Sequence, residues 1–233
     1  MLFYKNFEDY LCGERERLER LASSQMPDLG AISRILTSTP PRSAEAPAYP
    51  TTRETETLEV DAMGITGDRH RAVSRPSTGR ESTLYKKGTV IRQHRHLCLV
   101  TEHDCRLLSA RLGVEVTPEL LGADLVIEAQ GSTPFSIADL PPGTHLLVYP
   151  PGAKEVPKPP IATLVHHVKQ QGCGVTGKAI ADHYGDKSLV KAFRDVSRDN
   201  RASICSVEFP AQEKTLLRAG QQIAFRYSRC LTP

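Results

Sequence analysis

The sequence predicts a mainly β protein, built on a closed or nearly closed barrel with a few short peripheral helices. Three observations favour this class. Many short stretches alternate apolar and polar residues, glycine and proline turns separate these stretches, and long helices do not alternate with the strands as they do in a parallel sheet. The chain has 233 residues, which is enough for a substantial core.

The chain is predicted to begin with an amphipathic helical extension over residues 1–26, followed by the barrel domain over residues 27–233. Between residues 3 and 24 the charged side chains lie mostly around one helical face. The apolar side chains near the other face are Phe3, Phe7, Tyr10, Leu11, Leu18 and Leu21. Such a helix either packs against its own domain or docks to a partner.

Eight further stretches are predicted to be strands. They cover residues 30–37, 55–61, 90–100, 125–129, 144–149, 161–168, 202–209 and 221–227. A helix with a capping-box signature begins at Thr101 and ends at Gly113, and Leu189–Val196 has the apolar spacing of a second helix. The basic, aperiodic residues 72–89 are predicted to form a mobile loop.

Overall charge and composition exclude several functional classes. The net charge is only +3, tryptophan is absent and aromatic residues make up 6%, so we expect no nucleic-acid partner. No apolar run approaches the roughly 20 residues of a membrane span, so we expect no membrane insertion. The six cysteines occur singly, and the N-terminus lacks a signal-peptide profile. We therefore expect reduced thiols in the cytoplasm.

A glycine-bracketed cysteine, Cys173, is the strongest candidate for chemistry. Glycines at three positions within six residues, Gly172, Gly174 and Gly177, would let backbone amides approach a ligand. Thr176 is the predicted N-cap of a short helix, and Gly185 is expected just past its end. Because the amino end of a helix favours the thiolate, Cys173 is predicted to be a nucleophile or a metal ligand. The alternative is a small buried residue in a tight turn.

Two other polar groups are candidates for function. Residues 64–71 combine two glycines, an acid, two arginines and a histidine, which indicates either a functional loop or a charged surface turn. His94 and His96 share one face of the predicted strand over residues 90–100, as paired metal ligands do. Without a convincing third ligand we interpret these two histidines as polar wall residues.

Four stretches in this order resemble the MOSC domain, named for the C-terminal domain of molybdenum cofactor sulfurases. Gly64–His70 resembles the GDRH signature, and Leu121–Glu128 is similar to an LGxN element followed by a strand. Leu140–Thr144 resembles the turn that comes next, and Cys173–Ala181 resembles the family's cysteine with its C-x-x-x-G-x-x-I-A continuation. The chain departs from the pattern at residues 170–172, at Asp124 and at residues 200–202.

The resemblance implies a β-barrel in which Cys173 carries sulfur or ligates molybdenum. It also implies that the GDRH residues line the same pocket, with His70 as proton donor or orienting residue. The residues expected to bind a cofactor are Asp68, Arg69, Lys178 and Arg201. The implied cofactor is molybdopterin-bound molybdenum, and the pyridoxal-phosphate-dependent aminotransferase-like domain of the full sulfurases is not expected.

Three functional hypotheses follow from these observations. The first is a sulfur carrier, or a molybdenum-dependent reductase of N-hydroxylated compounds, acting through Cys173. The second is a cofactor-free enzyme that uses Cys173 on a small electrophile, and the third is a non-catalytic binding module. The expected partners are a small-molecule or cofactor ligand and a sulfur-donor or redox partner protein.

Overall fold

The structure is a computed structural model that describes residues 29–38, 52–68, 70–78, 85–131, 135–141, 143–152, 159–169, 174–197, 203–209 and 214–227. The predicted helix within residues 1–26, and its boundary with the barrel domain, lie outside the described residues. The strands are β1 (Leu29–Ser38), β2 (Thr52–Glu54), β3 (Thr57–Asp61), β4 (Gly64–Ile65), β5 (Ser74–Pro76), β6 (Val90–Arg92), β7 (Leu97–Val100), β8 (Leu125–Ala129), β9 (His145–Tyr149), β10 (Ala162–Lys169), β11 (Ser203–Phe209), β12 (Thr215–Arg218) and β13 (Gln222–Arg226). The helices are α1 (Glu102–Leu112), α2 (Pro118–Leu121), α3 (Gly174–Tyr184) and α4 (Leu189–Val196), with a 3-10 turn at Ile137–Asp139.

A single sheet forms the barrel. Its strand order is β13-β9-β10-β11-β7-β8-β1-β2, and an additional pairing of β13 with β1 closes the sheet on itself. Strand β1 pairs with β13, β8 and β2 in turn along its ten residues. Smaller pairings add the sheet β12-β3-β4 and the hairpin β5-β6. These pairings confirm the predicted mainly β class with a barrel and a few short helices.

Two hydrophobic clusters hold this fold together. The first contains buried residues from both the barrel sheet and the β12-β3-β4 sheet, and the second lies between the barrel wall and the helices. Strand β8 contributes to both, because Leu125 and Ile127 belong to the first cluster and Val126 to the second. Leu189 and Phe193 of α4 also belong to the second cluster, so the predicted apolar stripe of this helix covers the outside of the barrel.

Helix α1 begins and ends where the sequence predicts. Thr101 is its N-cap and accepts a hydrogen bond from the Asp104 amide at 3.0 Å, and Gly113 is its C-cap. Burial raises the pKa of the Asp104 carboxyl. The same carboxyl accepts hydrogen bonds from the Ser136 hydroxyl and from the Ile137 amide, so it anchors the 3-10 turn to α1.

The region after the GDRH signature differs from the prediction in two ways. The predicted strand over residues 90–100 is split, because β6 ends at Arg92 and β7 begins at Leu97. The predicted loop over residues 72–89 contributes a strand, β5, which pairs with β6 in an antiparallel hairpin. Both errors arise because the hairpin strands are only three residues long and mostly exposed, which leaves little apolar alternation to detect.

The histidine pair on the predicted strand does not share a role. His96 is 4% exposed, its Nδ1 accepts the Val207 amide hydrogen at 3.1 Å, and its Nε2 lies 3.2 Å from the Ala72 carbonyl oxygen. Because an acceptor Nδ1 places the proton on Nε2, His96 is a neutral crosslink between the GDRH region and β11. His94 is only half-buried, and its Nδ1 lies 3.3 Å from the Arg92 carbonyl oxygen.

We expect His96→Leu to lower the free energy of unfolding by about 2 kcal/mol, because the variant leaves the buried Val207 amide and Ala72 carbonyl without their imidazole partner. Urea denaturation monitored by circular dichroism measures this change. His94→Leu is the matched control and should cost less than about 1 kcal/mol. Equal losses in the two variants would contradict the assignment of His96 as the structural crosslink.

Candidate functional site

The helix that follows the candidate nucleophile begins at the next residue. Cys173 itself lies outside the described residues, and α3 starts at Gly174. The predicted N-cap, Thr176, is wrong, because Thr176 lies inside the helix and is only 6% exposed. The predicted helix end is confirmed, since α3 ends at Tyr184 and Gly185 has a left-handed φ of 69°. Eleven residues of helix therefore follow Cys173 directly in the chain.

Gly177 serves helix packing, a role that the sequence did not indicate. A β-carbon at this position would lie 3.0 Å from the Val190 carbonyl oxygen and 3.4 Å from Cδ1 of Phe193. Both contacts belong to α4, so the missing side chain lets the two helices approach closely. Around Gly174 there is open space within 4 Å, so this glycine carries no such constraint.

Lys178 projects from α3 into solvent. Its side chain is 62% exposed, and Nζ lies 3.6 Å from Oδ2 of Asp182, one turn along the same helix. An exposed pair with this spacing contributes only a few tenths of a kcal/mol. The predicted binding of a cofactor by Lys178 therefore stays a prediction, because the structure gives this lysine a helix-surface partner.

Asp68 fixes the orientation of His70. The Asp68 carboxylate, 6% exposed, accepts the His70 amide hydrogen at 2.7 Å, and the same Oδ1 lies 2.9 Å from His70 Nδ1. Because a carboxylate is only an acceptor, Nδ1 carries the hydrogen that it donates to Asp68. The other ring nitrogen, Nε2, is then the one that can accept a proton from a substrate or a thiol. The His70 side chain is 31% exposed, so the ring is accessible.

The GDRH loop is connected to its surroundings at several points. Gly64 has a φ of 116°, and a β-carbon there would meet the His96 ring at 3.2 Å, so both backbone conformation and space require glycine. The buried Gln93 donates from Nε2 to the His70 carbonyl oxygen at 3.1 Å and accepts at Oε1 from the Arg95 amide. These bonds position the loop. No sequence pattern would have identified Gln93 as a residue of the site.

A salt bridge between Arg71 and Asp61 closes the other side of the loop. Burial alone would raise the pKa of Asp61. The hydrogen bonds from Arg71 and from the Met63 amide outweigh burial, so the pKa falls below its ordinary value of 3.8. A lowered native pKa contributes stability that is fully present above the unfolded pKa and is lost as the pH falls through the native pKa.

We therefore expect the free energy of unfolding to decline as the pH falls below about 4, and part of this decline to depend on Arg71. In Arg71→Met the Asp61 carboxylate loses its cationic partner, so the variant should be less stable than the native chain near neutral pH. The difference between the two should shrink toward pH 2. Urea denaturation at several pH values measures it. A stability difference independent of pH would contradict this assignment.

Strand β11 connects the GDRH region to the strand that leads to the cysteine stretch. The GDRH region attaches to it through the bond from the Val207 amide to His96, and β10, which leads to the cysteine stretch, pairs with it along its length. Ser203, opposite the last residue of β10, lies roughly 13 Å along the strand from Val207. Arg69, Cys173 and Arg201 lie outside the described residues, so their meeting with His70 stays a prediction.

Metal-binding capacity is limited in the part of the chain that the structure describes. No group of three or more His, Cys, Asp or Glu side chains there is placed to hold a metal ion. Cys105 is a buried thiol, and burial raises its pKa above its ordinary value. Cys105 is therefore a protonated core residue and a poor nucleophile.

A surface cleft of about 560 Å³ lies between β1, α1 and α2, and none of the predicted site residues that the structure describes lines it. Its central residue, Arg34, forms salt bridges with three glutamates at different elements. They are Glu54, Glu102 and Glu119. Because carboxylates of the protein itself bind Arg34, we interpret the cleft as the site of a structural network of salt bridges. Among the described helices, none has the length and hydropathy of a membrane span.

Comparison with known proteins identifies relatives of low sequence identity. The chain is 26% identical over 161 residues to a Bacillus subtilis protein named "Putative metal-sulfur cluster biosynthesis proteins YuaD", covering 68% of this chain and 76% of that protein. The crystal structure of YuaD from Bacillus subtilis superposes with a TM-score of 0.67 at 22% identity, covering 86% of this chain and 97% of YuaD. No protein-family model matches the chain.

A second solved structure shares the fold at a lower level of similarity. YiiM from Geobacillus stearothermophilus superposes with a TM-score of 0.51 at 11% identity, covering 84% of this chain and 75% of YiiM. The fold of this chain is therefore similar to those of YuaD and of YiiM.

Proposed function

We propose that this chain is a MOSC-like sulfur carrier that accepts sulfur as a persulfide on Cys173. The observation that carries the proposal is the position of this cysteine directly before α3. Unpaired backbone amides at the amino end of a helix, together with the helix dipole, favour an adjacent thiolate. The name of the similar YuaD protein, which refers to metal-sulfur cluster biosynthesis, supports a role in handling sulfur.

The proposed transfer needs no net oxidation or reduction. His70 Nε2 takes the proton of the Cys173 thiol, and the thiolate attacks the terminal sulfur of a donor persulfide. A sulfur–sulfur bond forms to Cys173 while the sulfur–sulfur bond of the donor breaks. The donor leaves as a thiolate and recovers the proton from His70. Asp68 supports this exchange because it holds Nδ1 of His70 and so leaves Nε2 as the exchanging nitrogen.

Chemistry with a bound molybdenum cofactor is a second version of this proposal. When bound, it would supply oxygen-atom or sulfur-ligand redox chemistry, with Cys173 as its protein ligand and Arg69 and Arg201 at its phosphate. The residues that would hold the group, Cys173, Arg69 and Arg201, lie outside the described residues, so its fit stays a prediction. The sulfur-transfer steps do not depend on the cofactor.

The buried thiol of Cys105 and the single occurrence of the six cysteines along the chain fit a proposed site of action in a reducing compartment such as the cytoplasm. Sulfur loading and elemental analysis test the proposal together. Purified protein is incubated with glutathione persulfide, desalted and assayed for sulfane sulfur by cyanolysis, while a parallel sample is analysed for molybdenum and pterin.

We expect one sulfane sulfur per chain regardless of metal content. Molybdenum and pterin at equal molar ratio to the chain, without sulfur uptake, would replace the carrier proposal by the cofactor-dependent one. Rapid alkylation of Cys173 without sulfur uptake or metal would favour the cofactor-free enzyme. If sulfur uptake, metal and rapid alkylation of Cys173 are all absent, the hypothesis that remains is a non-catalytic binding module.

A further inference from the structure

The hairpin β5-β6 and its turn concentrate positive charge on one part of the surface. We call residues 74–78 and 85–92 the basic hairpin. Together with the flanking residues, the described stretches 70–78 and 85–96 carry six lysines and arginines and no aspartate or glutamate, against a net charge of +3 for the whole chain. The remaining chain is therefore net negative, so the charge of the protein is segregated.

The basic hairpin is ordered by its own hydrogen bonds. The Ser77 amide donates to the Thr89 carbonyl oxygen at 2.7 Å, and the Ser77 hydroxyl donates to the Lys86 carbonyl oxygen at 2.7 Å. The Gly88 amide donates a hydrogen bond to the Ser77 carbonyl oxygen at 3.0 Å. These bonds hold residues 86–89 against Ser77, so a partner would not have to order this described part of the surface on binding.

Apolar side chains are exposed among these cations. Val90 is 73% exposed, Val73 is 67% exposed and Tyr85 is 44% exposed, and they are three of the seven large hydrophobic side chains exposed in the described residues. Lys86 and Lys87 lie in the turn, and Arg92 lies on the exposed face of β6 with Val90. Tyrosine and arginine are enriched at protein interfaces, and the exposed valines add apolar area that an interface can bury.

The base of the basic hairpin is bonded to the candidate site. Gln93, the residue after β6, donates to the His70 carbonyl oxygen, and its own amide donates to the Val73 carbonyl oxygen at 2.9 Å. Gln93 thus connects the base of the hairpin, through its backbone amide, to the residue proposed to move protons, through its side chain. A molecule seated on the hairpin would lie next to the GDRH loop.

We propose that the basic hairpin is the docking surface for an acidic protein that exposes apolar side chains between its carboxylates. A phosphate backbone would use the cations but offers little apolar surface to the exposed Val90. An anionic membrane could use both features, so binding to anionic vesicles is one of the outcomes that the test separates. Docking here deepens the proposed function, since the partner would be the protein that exchanges sulfur with Cys173. The binding itself requires no chemistry at Cys173.

Fluorescence anisotropy with synthetic probes tests the docking surface. The probe is a fluorescein-labelled peptide of glutamates and leucines, compared with a glutamate-serine peptide of equal charge, a short DNA duplex and phosphatidylglycerol vesicles. We expect Lys86→Glu/Lys87→Glu/Arg92→Glu to weaken binding of the glutamate-leucine peptide at least about tenfold. Val90→Ser should weaken the same binding, and added salt should weaken it further.

The matched control reverses three exposed charges around α4, in Lys187→Glu/Lys191→Glu/Arg194→Glu, and should bind like the native chain. The proposal is overturned if this control weakens binding equally, if the glutamate-leucine peptide does not bind, if Val90→Ser has no effect, or if DNA or vesicles bind more tightly. Cys173→Ser should bind the peptide normally, so failure of the sulfur-carrier proposal and failure of the docking proposal give different results.

Discussion

Cys173→Ser is expected to lower the rate of sulfur uptake from glutathione persulfide more than about a thousandfold, because a hydroxyl cannot replace a thiolate as the nucleophile toward sulfur. Cyanolysis of the desalted protein at successive times gives the rate. The variant should keep the circular dichroism spectrum and unfolding transition of the native chain, since the substitution removes one sulfur atom.

Cys98→Ser is the matched control for this experiment. Cys98 lies on β7, half-buried in the barrel wall, and the structure places it outside the GDRH loop and the cysteine stretch. Uptake should therefore be unchanged. Comparable losses in the two variants, or undiminished uptake in Cys173→Ser, would contradict the role assigned to Cys173.

Gly177→Val is expected to lower the free energy of unfolding by about 3 kcal/mol, at the upper end of the usual cost of overpacking a core. Even the first added carbon would lie 3.0 Å from the Val190 carbonyl oxygen, which belongs to helix backbone and cannot rotate away. Helices α3 and α4 would have to separate, and the amino end of α3 would shift with them. Urea denaturation measures the stability, and cyanolysis should show slower sulfur uptake.

The control for the packing argument is Gly174→Ala on the same helix. Space around Gly174 is open within 4 Å, so this variant should change the free energy of unfolding by less than about 1 kcal/mol. A Gly177→Val variant as stable as Gly174→Ala would show that the close approach of α3 and α4 does not depend on glycine.

The elements that the sequence predicted correctly are those with a long apolar pattern or a defined cap. Strand β8 has the predicted bounds, because its buried residues form an uninterrupted apolar run. Helix α1 follows from its capping residues and α4 from its apolar spacing. The elements that were missed are short, including β12, the four-residue helix α2 and the strands of the basic hairpin, which have too few residues to establish a period.

The candidate site was predicted only in part, for a different reason. The resemblance to the GDRH signature indicated Asp68 and His70 as separate site residues, and the contact between their side chains was not predicted. Hydrogen bonds between residues far apart in the chain leave no local sequence pattern, so they could not be predicted from the sequence. The bond from Gln93 to His70 and the crosslink from His96 to Val207 are of this kind. Gly177 was misread because a glycine that serves helix packing looks the same as one that serves a ligand.

The most direct test of the account is the pH dependence of alkylation at Cys173. Native protein is treated with limiting iodoacetamide across a range of pH, and mass spectrometry of the digest gives the rate at each cysteine. We expect Cys173 to react fastest and its rate to reach half of its maximum at a pH well below the pKa of about 8.5 of an unperturbed thiol. A midpoint at or above that value, or faster reaction at Cys98, would contradict the account.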